Sequence, residues 1–408
     1  MENLSESLYK KEWQGWRQRS TLHLLERHQG YLTNTSVTED NYRECSCTLG
    51  VMVASVMEQI RDEDIVWSGE WLRLNEDEGE DDLRSRVKGF LSSPSPSLLH
   101  KHLTLEVFDQ LKLVRTPGSQ GGLKDQIQAG LALPSSPVGV FASDPEAYSY
   151  FSLLLSPILR ELHGVQGKLQ QPPAHWGEEL ELEPLPGVSS SRVQAVRSLQ
   201  GFPFLPLMTL DDLLSLEQTV VQALSSLTGD LQGSYSSLAS LPQREQEELA
   251  KQHLLPPPCS QVQRLAQSCR HWPAGRGVFW NSDRTLLVWV GGQEHLTLVS
   301  QQPGGDLGSA YKRLVVGLAG LEDGGLVGVR GDSMGYLTSD PASVGTGLRL
   351  GVVVQGARGH QVAKRVGQEG LQVQEQGREV EVYLQGRLGV TEIHSVKTFH
   401  RGMGRVLN

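Results

Sequence analysis

VWVGGQEHLTLVS, Val288 to Ser300, is the stretch on which the reading of this chain turns. Val288–Val290 and Leu296–Ser300 are rich in the β-branched and aromatic residues that suit a pleated, buried surface. GGQEH between them is short, polar and glycine-bearing, so the stretch predicts an antiparallel hairpin presenting its tip to a cleft. That tip carries one carboxylate, two glycines and no arginine. It is either a catalytic element or the shell of one.

Working outward, NSDR (Asn281–Arg284) reads as the turn joining GVFW to TLLVWV, and GYLT and RLGVVVQ are further strand-like runs. Upstream the spacing is helical. LTLEVFDQLK and LKDQIQAGL are amphipathic. SDPEAYSYFSLLLSPILRELHG predicts one helix from Ser143 to Gly164, with Asp144 as cap, Pro145 in the first turn, a kink at Pro157 and Gly164 as the stop. MTLDDLLSLEQTVVQALSSLTGD predicts another, started by Thr209 and Asp212 and ended at Gly229. Helices followed by short strands with tight turns imply an α+β fold with an antiparallel sheet.

At 408 residues the chain is long enough for two or three domains. Residues 1–91 read as an N-terminal extension of unknown role that includes an acidic linker, NEDEGEDD (Asn75–Asp82). The extension holds one amphipathic segment, TLGVMVASVMEQIRDE, and no recognisable chemistry. SSPSPS (Ser92–Ser97) follows, and a Pro/Gly-rich segment from Gln170 to Gly187 reads as an interdomain linker. The expected domains are therefore 92–185, helical with its linker, and 186–408, carrying the sheet.

A formal net charge of −10 argues against a nucleic-acid binder. No run of eighteen apolar residues spans a membrane, and the N-terminus lacks the apolar core of a signal peptide. Four cysteines do not make a disulfide framework, which suits a reducing compartment and a cytoplasmic protein. Cys45 and Cys47 form a CxC without a second ligand pair, and the histidines lack metal-ligand spacing, so no metal site is expected. Phosphate-loop, dinucleotide, HExxH and GxSxG patterns are absent. Arg330-Gly331-Asp332 spells an adhesion tripeptide by chance.

Five ordered stretches then carry a resemblance. They are SSRVQAVRSLQGF (Ser190–Phe202), ALSSLTGDLQGSYSSL (Ala223–Leu238), QHLLPPP (Gln252–Pro258), HWPAGRGVFWNSDRTLLVWVGGQEHLTLVSQQPGGDL (His271–Leu307) and MGYLTSDPASVGTGLRLGV (Met334–Val352). Together they resemble the phosphagen (ATP:guanido) kinases, creatine kinase most closely, from about residue 92 onward. The resemblance implies a small all-helical N-terminal domain and a larger domain whose antiparallel β-sheet is flanked by helices. It implies MgATP as cofactor, ATP/ADP and a guanidino compound as partners, and a homodimer. Phosphoryl transfer of this kind depends on cations around the transferring group and on aligned reactants.

Carried over residue by residue, the site is uneven. Ser190, Ser191, Arg192, His253 and Arg349 match nucleotide-binding positions. The second arginine of the family's SSRVR is Gln194. Against VWVNEEDHxRV, the glutamates fall on Gly292 and Gln293, the aspartate on Glu294 and the arginine on Thr297. TCPSN becomes SDPAS, so the reactive cysteine aligns with Asp340 and the following serine with Ala342. Gln374 stands where the arginine opening the nucleotide-covering loop would be, within QVQEQGREVEVY.

Three arginines are thus absent from the transition-state cage. Each contributes on the order of 3 kcal/mol or more. Even at half additivity the loss is roughly 4 kcal/mol, a thousandfold in rate. The favoured expectation is a pseudokinase with a binding or scaffolding role and no catalytic residue retained, Gln293, Glu294 and Asp340 being degenerate positions. Two alternatives stand beside it. One is an active ATP:guanidino phosphotransferase, with Arg378 or Arg387 compensating. The other is a nucleotide sensor without transfer.

Overall fold

The structure is a computed structural model describing residues 80–177, 180–252, 254–376, 379–386 and 388–407. The expected helix near residue 50, Cys45, Cys47, His253, Arg378 and Arg387 lie outside the described residues. Those described fall within one unit, Gly79–Asn408.

Its first part is helical: α1 (Glu80–Ser92), α2 (Leu98–His102), α3 (Leu105–Leu111), α4 (Leu123–Ala132), α5 (Ala147–Tyr150) and α6 (Ser152–His163). Val87, Leu99, Phe108, Ile127, Phe151, Leu154 and Ile158 are fully buried in one core. α1 packs Leu83, Val87 and Phe90 into that core, so part of the expected extension belongs to the helical layer. Ser97, at the end of SSPSPS, caps α2 by accepting the Leu99 N–H at 3.2 Å.

The single helix expected from Ser143 is two. Asp144 does cap, accepting the Ala147 N–H at 3.0 Å, but the helix breaks at Phe151, whose φ of −104° and ψ of 23° leave the helical region. Pro157 sits inside α6, which runs on past it to Gly164 in the left-handed conformation. The break falls where Phe151 is driven into the core rather than where the proline lacks a donor.

The second part is an eight-stranded antiparallel sheet in the order β2-β3-β4-β5-β1-β8-β10-β9. The strands are β1 (Ser190–Arg197), β2 (Gly233–Ser237), β3 (Gly277–Asn281), β4 (Leu286–Val290), β5 (Leu296–Pro303), β8 (Leu348–Gln355), β9 (Gln372–Gln376) and β10 (Glu379–Gln385). β6 (Arg330–Gly331) and β7 (Gly335–Tyr336) form a separate ribbon. The hairpin of Val288–Ser300 is β4–β5, with Trp289 opposite Thr297.

Side chains alternate across this sheet. Val193, Ala195, Leu298, Leu350, Val352, Val380 and Val382 face one core with α7 (Leu210–Leu224), α10 (Leu307–Asp323), α11 (Gly356–Val366) and α12 (Glu392–Leu407). The expected capping box holds, Thr209 and Asp212 bonding each other's backbone N–H, but α7 stops at Leu224, short of Gly229. The expected linker is pinned down as well: Leu180 and Leu185 join the same core, and the Tyr311 hydroxyl donates to the Trp176 carbonyl at 2.8 Å.

On the other face, α8 (Gln243–Lys251) covers only the β3–β5 end, where Leu249, Leu254, Val278, Leu287, Trp289 and Val299 cluster. Beyond that cover, β1, β8, β10 and β9 present Arg192, Gln194, Arg349, Glu381, Tyr383, Gln372 and Gln374 to a cleft.

One expectation is corrected. Cys259 and Cys269 are joined by a disulfide around α9 (Gln261–Leu265). The number of cysteines does not say which approach each other, and a ten-residue excursion returning on itself placed these two together.

Candidate active site

The cleft has a volume of about 1130 Å³. Its walls come from the sheet face, from Leu255–Pro258 after α8, from the hairpin tip at Gln293, from Asp340–Ser343, and from Leu162 and His163 at the end of α6.

The hairpin tip is built locally. Gly291 adopts a left-handed φ of 64° and its N–H closes the turn on the His295 carbonyl at 2.9 Å. A Cβ there would come 2.8 Å from Arg276 Cγ, because the fully buried Arg276 lies against it and donates to the Gly291 carbonyl at 2.9 Å. Gly292 is different: a Cβ would meet Pro256 at an ordinary 3.5 Å. Conformation demands the first glycine only.

His295 is completely buried. Its Nδ1 accepts the Leu199 N–H at 3.0 Å, so Nε2–H donates to the Pro203 carbonyl at 2.9 Å. Burial pushes its pKa down to about 4, and it serves as a neutral strut.

Glu294 is the convergence point of the site. Its carboxylate is 1% exposed and accepts from Ser198 Oγ at 2.8 Å, the Ser339 N–H at 3.0 Å and the Asp340 N–H at 3.0 Å. Burial pushes its pKa up to about 7 against the pull of those donors, and the nearby Asp340 adds to the rise. With its oxygens facing protein donors, Glu294 latches the Ser339–Asp340 loop to the hairpin. Helical-layer groups grip the same loop: the Tyr148 hydroxyl donates to the Thr338 carbonyl at 2.8 Å, Ser339 Oγ to the Ala142 carbonyl at 2.9 Å, and His163 Nε2 to the Pro341 carbonyl at 2.9 Å.

Asp340 reaches the cleft from this loop. One of its oxygens accepts the Ala342 N–H at 2.9 Å, capping the short 3₁₀ turn Pro341–Ser343. Burial raises its pKa. Gln293 is exposed at the tip and lines the cleft as an uncharged amide.

Deeper on the sheet face, Gln194 lies directly opposite Arg349, and Arg192 opposite Gly351. Arg349 donates to both oxygens of Glu381, at 3.1 and 3.0 Å, and to Gln374 Oε1 at 3.4 Å. Its guanidinium stacks 3.9 Å from the Tyr383 ring centroid. Arg192 donates to Gln301 Oε1 at 3.1 Å. Burial lowers its pKa, which Glu381 offsets and Arg349 reinforces.

The remaining expected positions do not line the cleft. The Ser191 hydroxyl is buried and donates to the Gly304 carbonyl at 2.9 Å. Ser190 pairs with Pro303 and Val353 toward the strand's end. Thr297 is 1% exposed between Val196 and Trp289, its hydroxyl without a hydrogen-bond partner.

Glu381, Tyr383, Lys251 and His163 are cleft residues that the motifs did not single out. The alternation EVEVY was a usable signal for the first two, since it places Glu379, Glu381 and Tyr383 on one face of a strand.

The candidate site is thus a polar cleft on an open antiparallel sheet, lined by arginines and flanked by the end of the helical layer at Leu162 and His163. The comparisons give the family. The model described as ATP:guanido phosphotransferase, C-terminal catalytic domain, matches residues 215–408, and the ATP:guanido phosphotransferase N-terminal domain matches 93–160. An arginine kinase of Schistocerca americana is 36% identical over 338 residues, covering 79% of this chain and 95% of that protein. An arginine kinase of Limulus polyphemus is 36% identical over 330 residues, 76% of this chain and 92% of that one. Among solved structures, the substrate-free duplicated taurocyamine kinase from Schistosoma mansoni superposes with a TM-score of 0.74 at 26% identity, over 79% of this chain and 48% of that duplicated one. Lombricine kinase superposes at 0.71 and 25% identity, over 77% and 91%. The chain belongs to the phosphagen (ATP:guanido) kinase family and has its fold. The two relatives matched by sequence are arginine kinases and the two solved structures a taurocyamine kinase and a lombricine kinase, so the finer likeness to creatine kinase is not what they support.

Proposed function

We propose that this chain is a phosphagen kinase relative that no longer transfers phosphoryl groups and acts through binding or scaffolding. One observation carries the reading. The retained arginine most central to the cleft, Arg349, is held by both oxygens of Glu381, with the neutral Gln194 directly opposite. Gln293 and Gln374 add no charge, and Thr297 is buried away from the cleft.

The family uses MgATP with a guanidino substrate. The described residues do not fit a triphosphate. Arg192, Lys251 and Arg349 are balanced around the cleft by Asp340, Glu375 and Glu381, whereas a polyanion needs a surplus of fixed positive charge. Nor do the described residues include a group of three metal-ligating side chains.

What these residues do is positional. Glu294 and His295 hold the hairpin tip and the Asp340 loop in place, and the arginine–glutamate pair stiffens the sheet face. No helix among the described residues is long and apolar enough to cross a membrane. A homodimer is carried over from the family resemblance, and a cytoplasmic setting from the cysteine usage of the sequence. The test is a phosphotransfer assay of the full chain with MgATP and creatine, arginine and related guanidines. Background rates are expected, and turnover at ordinary kinase rates overturns the proposal.

A further inference from the structure

We infer that Glu381 is the specificity-determining residue of this cleft: from within the chain it occupies the anion position between Arg192 and Arg349, and so sets the cleft against polyphosphate ligands. The inference rests on the reading of the cleft as a phosphagen-kinase-type site and concerns one side chain within it.

The position is built for that carboxylate. Along β8 the cleft-facing residues are Arg349, Gly351 and Val353, and Gly351 leaves a gap between the other two. Glu381 reaches into the gap from β10, where it is paired with Val353. A Cβ on Gly351 would stand 2.7 Å from Glu381 Oε1, so any larger residue displaces the carboxylate. Across the gap on β1, Arg192 is the register partner of Gly351. The carboxylate thus lies over the bare backbone of Gly351, with Arg349 two residues along the same strand and Arg192 on the neighbouring one.

Its contacts are those a bound phosphate would make. Arg349 meets both oxygens in a forked arrangement, at 3.1 and 3.0 Å, the geometry a guanidinium also offers to phosphate. Tyr383 fixes the plane of the guanidinium by stacking at 3.9 Å, and Gln374 takes a third N–H at 3.4 Å. Side-chain exposures of 22% for Arg349 and 21% for Glu381 leave the pair reachable from the cleft yet shielded enough to resist screening. A ligand phosphate must displace a tethered competitor whose effective concentration is set by the strand, not by solution.

The experiment uses the full chain and inorganic pyrophosphate as probe, by titration calorimetry, with wild type, E381Q and R349Q/E381Q. E381Q keeps the shape of the side chain and an acceptor for Arg349. It is expected to bind pyrophosphate about ten-fold or more tightly than wild type, and R349Q/E381Q is expected to lose the gain. Equal affinity in wild type and E381Q overturns the inference, as does a gain that survives in R349Q/E381Q. If E381Q does not fold, E381D decides: it keeps both charges but draws the carboxylate back by one methylene, so a smaller gain supports the inference and no gain overturns it. The two readings fail separately. Guanidine phosphorylation by wild type overturns the loss of transfer and leaves the pyrophosphate comparison intact. A null comparison removes the role of Glu381 and leaves the loss of transfer standing.

Discussion

Replacing Glu294 by glutamine tests the account of the hairpin tip, because three donors converge on that carboxylate. A glutamine can place its carbonyl oxygen at the position taking Ser198 Oγ and the Ser339 N–H. Its amide nitrogen then faces the Asp340 N–H, donor against donor. A buried N–H left without an acceptor costs about 1–3 kcal/mol, so E294Q is destabilised by about that amount near pH 8. The pH dependence sharpens the test. Burial raises the folded-state pKa from an ordinary 4.5 to about 7, so the native protein holds a proton that the unfolded chain has released. Stability from this group is therefore fully present below pH 4.5 and is lost as pH rises through 7. Integrated over that interval, wild type gains about 2 kcal/mol at pH 5.5 relative to pH 8 that E294Q does not. Urea unfolding of both proteins at the two pH values measures the gap. It should be wider at the lower pH. An equal gap at both, or a wider one at pH 8, refutes the claim that Glu294 is carried partly protonated in a dry site.

His295 titrates with the opposite sign. Its folded pKa is depressed from 6.5 to about 4, so its contribution is present above pH 6.5 and is lost as pH falls toward 4, and the acid limb of the unfolding profile should flatten in His295→Asn relative to wild type. The two tip glycines separate conformation from space. Gly291→Ala forces a left-handed φ and a 2.8 Å contact with Arg276, and should cost about 1–3 kcal/mol in thermal unfolding. Gly292→Ala should change stability by less than about 0.5 kcal/mol, and equal losses at both positions would contradict the assignment.

Much of the frame was legible from the chain alone because it is local. Thr209 and Asp212 announce α7 three residues apart, and the two strands around GGQEH carry their own period and their own turn. The family likeness in five ordered segments follows the same logic, since each segment is a contiguous piece of scaffold. Errors arose where tertiary packing outweighed a local rule. Phe151, wholly buried, broke a helix that its spacing would have continued, while Pro157 did not interrupt the helix around it.

The site divides along the same line. Through the resemblance to the family, the sequence pointed to the hairpin, Arg192, Gln194, Gln293, Asp340 and Arg349 as positions of one site, because residue identity at an aligned position is a one-dimensional fact, and the fold lines one cleft with these five residues. Only the tertiary structure decided what the survivors do. Arg349 and Glu381 stand 32 residues apart and meet because β8 and β10 pair in a register that lays the carboxylate over Gly351. Cys259 and Cys269 meet because their loop returns on itself. Thr297 is sealed between Val196 and Trp289 by the strands on either side. Strand register and loop closure are cooperative outcomes of burying one face of a sheet, and no single position along the chain encodes them.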